Sequence, residues 1–476
     1  MRGWAARRVP PSTTEHVRAA GAGLEGALQI VQRLRAAGHG AYLVGGAVRD
    51  LLMGRPPRDV DIVTDARPEQ VRSLFARTVA VGAAFGVVQV STDSGVYDVA
   101  TFRREGPYLD GRRPSFVEYA SLEEDVSRRD FTVNAILYDP LGETVIDLVG
   151  GRQDLAARCI RTVGDPEARF AEDHLRMLRA IRLAAELDFV IDAETFRAIQ
   201  RRAGEIARVS GERIRDELLR LLVSPGRASG LDRLRESGLL AVILPEVAAL
   251  EGVEQPPEFH PEGDVFTHTR LALAHLHDPS PVLALAVLLH DVGKPPTFCR
   301  AERIRFDGHD EVGARMAETI CRRLRLKGED TIRVVDLVRE HLRVRTLPSM
   351  RPAKAKRFLA RPDIADHLEL HRVDCLASHG DLSLWRWAQQ ALARLSEEER
   401  RPPRLLSGHD LIALGYPTGP RFRQILEAVR DAQLEGTVRT REEALALVEQ
   451  RFPREGGRDP AEGGKEIGPV GGRREP

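Results

Sequence analysis

LVGGAVRDLLMGRPPRDVDIVTD, residues 43–65, sets two glycines after an apolar run and then two aspartates one residue apart. AYLVGG reads as a strand, GAVRDLLMG as a short helix ending near Gly54, and RDVDIVT as a second strand. Strand side chains alternate, so Asp59 and Asp61 are expected on one face. Two ionised carboxylates held together repel. A bridging divalent cation removes that cost, and hard oxygen ligands suit Mg²⁺. Gly45 and Gly46 leave backbone N–H groups uncovered at a helix start, where a triphosphate fits. Arg49, one turn on, adds a charged fork of donors. Two-metal phosphoryl transfer commonly uses a third carboxylate, and Asp98 in VYDVATFR is the best-placed candidate.

Outward from this stretch, RPEQVRSLFA reads as a helix, and GVVQVST and VYDVATFR as strands paired across DSG. Residues 24–150 therefore make a small α+β domain with a mixed or largely antiparallel sheet. From 151 the periodicity is helical, with amphipathic segments to about 253. EQPPEFHPEGD (254–264) reads as a boundary. A second helical domain is expected over 265–380 and a third helical segment over 381–453. The tail from 454 is glycine, proline and charge, and is expected to be disordered. The fold class is multidomain α+β.

The chain has 476 residues, 42% of them apolar, with 71 basic and 71 acidic side chains. Zero net charge means that any nucleic-acid contact comes from local basic faces. The four cysteines, Cys159, Cys299, Cys321 and Cys375, lack metal-knuckle or disulfide-framework spacing and fit a reducing, cytoplasmic setting. No apolar run is long enough for a membrane span.

In EDHLRMLRAIR, Asp173 and Arg176 stand three apart, and an acceptor beside a fork of donors can read the edge of a base. Steps of three drift about 60° each, which puts Arg182 roughly opposite Asp173. Leu175, Met177, Leu178 and Ile181 are expected in the core. In SRRDFTVNA, Asp130 is expected to hold Arg128 and Arg129, and Asn134 to hold local backbone. Arg213 and Glu217, four apart, are expected to pair. Arg201, Arg202, Arg208 and Arg213, and the segment PAKAKRFLARP (352–362), are candidate RNA-facing basic surface.

A second set of ligand-type residues comprises His268, the adjacent His290 and Asp291 at a helix end, His309, His341 and Asp374. Imidazole with carboxylate suits borderline cations. Gly293 is expected to end the helix and Pro295 to block its continuation. His260, His275 and His277 lie nearby but match no motif position.

GGAVRDLLMGRPPRDVDIVT, TFRREGPYLDGRRPSFVEYA, EEDVSRRDFTVNAILYDP and RTVGDPEARFAEDHLRMLRAIRLAAELDF together resemble the class II tRNA nucleotidyltransferase and bacterial poly(A) polymerase family, the CCA-adding enzyme group of the polymerase-β superfamily. The resemblance covers about 24–245. It implies a nucleotidyltransferase head (24–150), a helical nucleotide-selecting and RNA-binding neck (151–253) and a helical tRNA-binding segment (381–453). It implies Gly46 and Arg49 as nucleotide contacts, Asp59 and Asp61 as Mg²⁺ ligands, Arg129 as a triphosphate or ribose contact, and Asp173, Arg176, Arg179 and Arg182 as the base-recognition and phosphate-contact set. DGRRPSF (110–116) falls where the family has a mobile loop near the primer end. The pattern H…HD…D over 265–380 resembles the HD phosphohydrolase superfamily. That resemblance implies His268, His290, Asp291 and Asp374 as ligands to Mg²⁺, Mn²⁺ or Ni²⁺, with His309 and His341 for a second metal.

The expected function is addition of the 3′-terminal CCA to tRNA from CTP and ATP, with phosphatase or phosphodiesterase chemistry at the HD site. The rivals are enzymes adding only CC, only A, or a poly(A) tail, and an RNA-binding protein with vestigial sites. The expected partners are the tRNA acceptor end, CTP and ATP, with no membrane, as a monomer or homodimer.

Overall fold

The structure, a computed structural model, describes residues 7–8, 22–57, 59–81, 86–106, 115–395 and 403–453. Most of DGRRPSF, and the tail from 454, lie outside the described residues. The strands are β1 (Arg7–Arg8), β2 (Ala41–Val44), β3 (Asp61–Thr64), β4 (Thr78–Ala80), β5 (Val87–Thr92), β6 (Gly95–Thr101), β7 (Arg103–Glu105), β8 (Val117–Tyr119), β9 (Leu137–Asp139) and β10 (Thr144–Ile146). One mixed sheet runs β1-β10-β9-β2-β3-β6-β5-β4, while β7 and β8 pair separately. The β3–β6 pair is parallel, with Ile62 opposite Val99. β2 and β3 are antiparallel, with Val44 opposite Asp61.

Alternation along β2 and β3 gives the sheet two apolar faces. Leu43 and Ile62 pack with Ile30, Val31 and Leu34 of the Ala22–Ala36 helix, whereas Val44 and Val63 pack with Phe102 and Val126 on the other side. Asp61 and Asp98 stand on β3 and β6, two adjacent interior strands of this sheet.

β3 begins at Asp61, so Asp59 lies in a bend before the strand and not on it. The reason is the partner strand. After Val44 comes Gly45 at φ 78°, where the chain leaves the sheet, so β2 has nothing to offer residues 59 and 60.

The neck consists of the helices Pro166–Glu172, Leu175–Leu187, Ala193–Arg202, Gly211–Val223 and Arg227–Glu236. The continuous helix expected through RFAEDHLRML is two. Asp173 is extended at φ −140°, ψ 105°, and its carboxylate accepts the N–H of Leu175 at 3.1 Å, which starts the second helix. Met177, Leu178 and Ile181 are fully buried, with Leu175 beside them in the same core.

That core continues into the helices Val265–Ala274, Pro281–Leu289, His309–Arg323 and Gly328–Arg339. Pro281–Leu289 is apolar all round, and Val282 to Leu289 are all buried, which makes it the central helix of this part. A Leu→Ala change there costs about 2–5 kcal/mol.

The chain divides into two compact units, one of Met1–His341 with Glu369–Asp381, the other of Leu342–Leu368 with the residues from Leu382 on. This division cuts across the expected 265–380 segment. The second unit has its own cores, one around Val344, Leu347, Phe358 and Ala388 and one around Leu411, Ile425, Val429 and Val448.

Candidate active sites

Asp61 heads β3 and Asp98 lies beside it on β6, both exposed, while the next residues, Ile62 and Val99, are buried. Although Asp61 reaches the surface, the protein packed around its carboxyl displaces water, and this, then Asp98, then Asp59 push the carboxyl above its ordinary range, against the opposing pull of Arg129. Three carboxylates and one guanidinium therefore share a single electrostatic site. Its residues suit a divalent cation, because a raised carboxyl beside two others is the signature of negative charge that a cation relieves.

Gly45 turns the chain over this site, and a Cβ added there would sit 3.4 Å from Asp61 Oδ2. The helix Gly46–Leu52 follows at once. Arg49 is buried, with Nε and Nη2 donating to Asp50 Oδ1 at 2.9 and 2.8 Å and Nη1 donating to Asn134 Oδ1 at 2.8 Å. Asn134 thus orients Arg49, where it was expected to hold backbone.

Arg128 and Arg129 are held by Asp125, not by Asp130. The contacts are 2.6 Å from Arg128 and 2.9 Å from Arg129, and Asp125 is fully buried. Burial pushes the Asp125 carboxyl up, but Arg129 and Arg128 outweigh it and hold it low. Asp130 points the other way. It takes Arg179 at 2.9 Å and accepts the N–H of Phe131. The helical turn Leu122–Ser127 places Asp125 three and four residues before the two arginines, so local geometry chose it over the adjacent aspartate.

Asp173 is bound by Arg213, with contacts at 3.1 and 2.7 Å, rather than by Arg176. Arg176 pairs with Glu172 and donates to the carbonyls of Arg169 at 3.1 Å and Arg128 at 3.4 Å, which ties the neck to the head. Arg182 is buried between Glu217 at 2.5 Å and Glu186 at 2.5 Å. The expected Arg213–Glu217 pair therefore does not form, because each partner meets an opposite charge from the Asp173 to Leu187 region first.

The second set converges. Asp291 Oδ2 lies 3.2 Å from His290 Nε2 and 3.8 Å from His268 Nε2, and its Oδ1 lies 3.6 Å from His309 and 4.0 Å from His341. His268 Nε2 is 3.0 Å from Asp374. The residues form two trios, His268 with His290 and Asp374, and Asp291 with His309 and His341.

Nδ1 of His290, His309 and His341 meets the carbonyls of Val287, Phe306 and Val338 at 2.8, 2.7 and 2.6 Å. A carbonyl only accepts, so each Nδ1 donates and each ring turns its Nε2, the atom free to ligate, inward. His309 and His341 face each other through Nε2 at 3.3 Å. Burial and then His290 push His341 down to about 4, so it is neutral at pH 7. Facing lone pairs in a buried site suit a cation.

Gly293 was expected to end the helix before it, but that helix ends at Leu289. A Cβ at Gly293 would fall 2.0 Å from the carbonyl of His309. The glycine therefore lets the His309 backbone approach closely enough to bring its ring to Asp291.

The sequence reading did not include Lys294, 2.8 Å from Asp291 Oδ2, or Gln255 and Glu262, which the boundary stretch supplies. Lys294 was visible in HDVGK, immediately after the recognised pair. Glu262 had no local signal.

Residues 41–161 match the Poly A polymerase head domain, 188–250 the probable RNA and SrmB- binding site of polymerase A, and 265–374 the HD domain. The chain is 49% identical to the CCA-adding enzyme of Geobacillus stearothermophilus over 226 residues, 47% of this chain and 55% of that one. It thus spans about half the length of the curated CCA-adding relatives it matches. Similarity runs further against the A-adding tRNA nucleotidyltransferase of Deinococcus radiodurans, 37% identical over 86% of this chain and 95% of that one. The CC-adding tRNA nucleotidyltransferase of Thermus thermophilus is 39% identical over 86% and 93%. The solved CCA-adding enzyme of Bacillus stearothermophilus in complex with CTP matches with a TM-score of 0.67 at 32% identity, over 90% of this chain and 97% of that one.

Proposed function

The chain belongs to the tRNA nucleotidyltransferase and poly(A) polymerase family, and we propose that it builds the 3′-terminal CCA of tRNA from CTP and ATP, releasing pyrophosphate. The observation that carries this reading is Asp61 set against the Gly45 turn and beside Asp98 on the neighbouring strand, its carboxyl raised by burial and then by Asp98 and Asp59.

Asp59 and Asp61 would hold Mg²⁺, with Asp98 beside them. When bound, the ions lower the barrier to attack of the RNA 3′ hydroxyl on the α-phosphate and neutralise the leaving pyrophosphate. The backbone at Gly45 and Gly46 lies open for phosphates, and Arg49 and Arg129 supply positive charge already oriented by Asp50, Asn134 and Asp125. Asp173, held by Arg213, would present an acceptor to a base edge, with Arg176 beside it tied to Glu172 and to the carbonyls of Arg169 and Arg128, so that selection needs no nucleic-acid template. The arginines of the neck and of the second unit are the RNA-facing candidates, and a cytoplasmic setting suits tRNA as substrate.

The HD site would hold one ion on His268, His290, Asp291 and Asp374 and a second on Asp291, His309 and His341. Its chemistry would be hydrolysis of a cyclic or terminal phosphate at an RNA end.

A second reading is partial addition. The two relatives matched almost end to end carry names of A-adding and CC-adding enzymes. Primer extension decides between them, using tRNAs ending at the discriminator base, at C and at CC, with CTP, ATP or both and Mg²⁺. CC then A and a stop establishes CCA addition, whereas a stop after CC, or A added only to the CC-ended tRNA, establishes a divided task. Long A tracts would make the protein a poly(A) polymerase, and no incorporation at all would sink the reading.

A further inference from the structure

The Pro/Gly-rich stretch 254–264 lies before the residues that match the HD domain, which begin at 265. We propose that this stretch is a working part of the HD site, with Glu262 as a positioning residue that fixes the tautomer and ring orientation of the metal ligand His268. The inference rests on reading the HD site as a metal site.

Glu262 Oε1 receives His268 Nδ1 at 2.7 Å and His260 Nδ1 at 2.9 Å, and its side chain is only 6% exposed. His268 is the exception among the four convergent histidines. The other three rings anchor Nδ1 on a carbonyl of the segment just before them, at most three residues away. His268 sits inside the helix Val265–Ala274, where the carbonyl four residues back, that of Asp264, already accepts its backbone N–H. Its ring therefore needs an acceptor from elsewhere, and Glu262 provides a carboxylate. A carboxylate behind an imidazole fixes which nitrogen faces the ion and raises the basicity of that nitrogen.

The stretch is folded down for this purpose. Asp264 caps the Val265–Ala274 helix through the N–H of Thr267 at 2.9 Å and takes the N–H of Gly252 at 2.6 Å. Val265 and Phe266 donate to the carbonyls of Val253 and Leu250. At the other end, buried Gln255 accepts from Lys294 Nζ at 2.7 Å, and Lys294 in turn meets Asp291 at 2.8 Å. Two contacts from one segment thus reach two different parts of the site. Glu262 backs a ligand, and Gln255 backs a lysine that is not one.

Mn²⁺ binding would be measured by titration of the full-length chain carrying Asp59→Ala and Asp61→Ala, which silences the head. Glu262→Ala is expected to weaken Mn²⁺ binding about 10- to 100-fold. Glu262→Gln, whose amide oxygen still accepts from Nδ1, should fall between it and the parent. Glu258→Ala, at an exposed position of the same stretch, should stay within about twofold of the parent, whereas a general disturbance of the stretch would move both alike. Equal Mn²⁺ affinity in the parent, Glu262→Ala and Glu262→Gln chains, with Asp291→Ala abolishing binding, would overturn the role of Glu262 and leave the HD reading standing. Parallel losses in Glu258→Ala and Glu262→Ala would reduce the stretch to scaffold and overturn it as well. Parent protein that binds no Mn²⁺ would remove both the inference and the HD reading.

Discussion

Arg213 donates from both Nη atoms to the two carboxylate oxygens of Asp173, forty residues away in the chain, at 3.1 and 2.7 Å. A carboxylate has about four acceptor positions; the fork takes two and the N–H of Leu175 a third, which orients Asp173 and leaves about one open. On the proposed function, the acceptor would be set before a nucleotide arrives.

Arg213→Ala is therefore expected to lower incorporation of CTP and ATP by roughly 10-fold in kcat/KM, about 1.4 kcal/mol of transition-state stabilisation. Discrimination against UTP and GTP should narrow with it. Arg213→Lys should recover only part, because a single ammonium does not reproduce the fork. Single-turnover incorporation with each of the four nucleotides checks this, and unchanged selectivity in Arg213→Ala would refute it.

Arg182 behaves as structure. It is buried, and its removal leaves buried Glu217 with only the more distant Arg179, at 4.0 Å, as counter-charge. Arg182→Ala should cost about 3–5 kcal/mol in urea unfolding. Arg182→Met with Glu217→Leu should recover most of that, since apolar residues of similar volume replace such pairs at little cost. ATP affinity of the folded protein should not move, and a large loss of affinity would return Arg182 to the phosphate-contact set.

The Asp61 carboxyl is raised by burial, then by Asp98. A raised carboxyl takes up its proton at a higher pH than an ordinary aspartate, and the protonated form is a poor ligand. At sub-saturating Mg²⁺ the rate of addition should therefore fall early as pH drops. Asp98→Asn, which removes one repelling charge, should lower both the overall rate and the midpoint of that acid limb. A pH–rate profile with an unmoved midpoint would exclude Asp98 from the cluster.

In the metal-free HD site, burial works to lower the His268 pKa, but hydrogen bonds to Asp374 and Glu262 outweigh it and raise it from 6.5 to about 9. A proton then lies between His268 Nε2 and Asp374, where an ion would otherwise be. The pair contributes stability fully below pH 6.5, and that contribution is lost as pH rises through about 9. Mn²⁺ binding at pH 7 should release about one proton from this site, with affinity climbing about tenfold per pH unit until that range is reached. Calorimetry in buffers of different ionisation enthalpy measures the proton count, and a count of zero would contradict the arrangement.

Short-range chemistry was legible in the one-dimensional order. Asp61 on a strand, the glycine turn into the Gly46–Leu52 helix, the β5–β6 hairpin and the His290–Asp291 pair all follow from periodicity, turn residues and short motifs within a few positions. The errors were also local in kind. Asp59 was put on a strand because alternation extends as far as the residues allow, whereas the strand ends where β2 stops offering partners.

Partner choice was decided by the tertiary structure. Asp130 took Arg179 of the neck, Arg213 left Glu217 for Asp173, and Glu262 joined a site from a stretch with the composition of a linker. Charge pairing depends on distance in space and on burial, and both are settled only when helices far apart in the chain pack together. Sequence by itself determined which residues are capable of the chemistry, because residue type and short spacing set what a side chain can donate, accept or ligate. The folded chain alone determined which of them meet, because each buried charge pairs with the opposite charge that packing brings within reach.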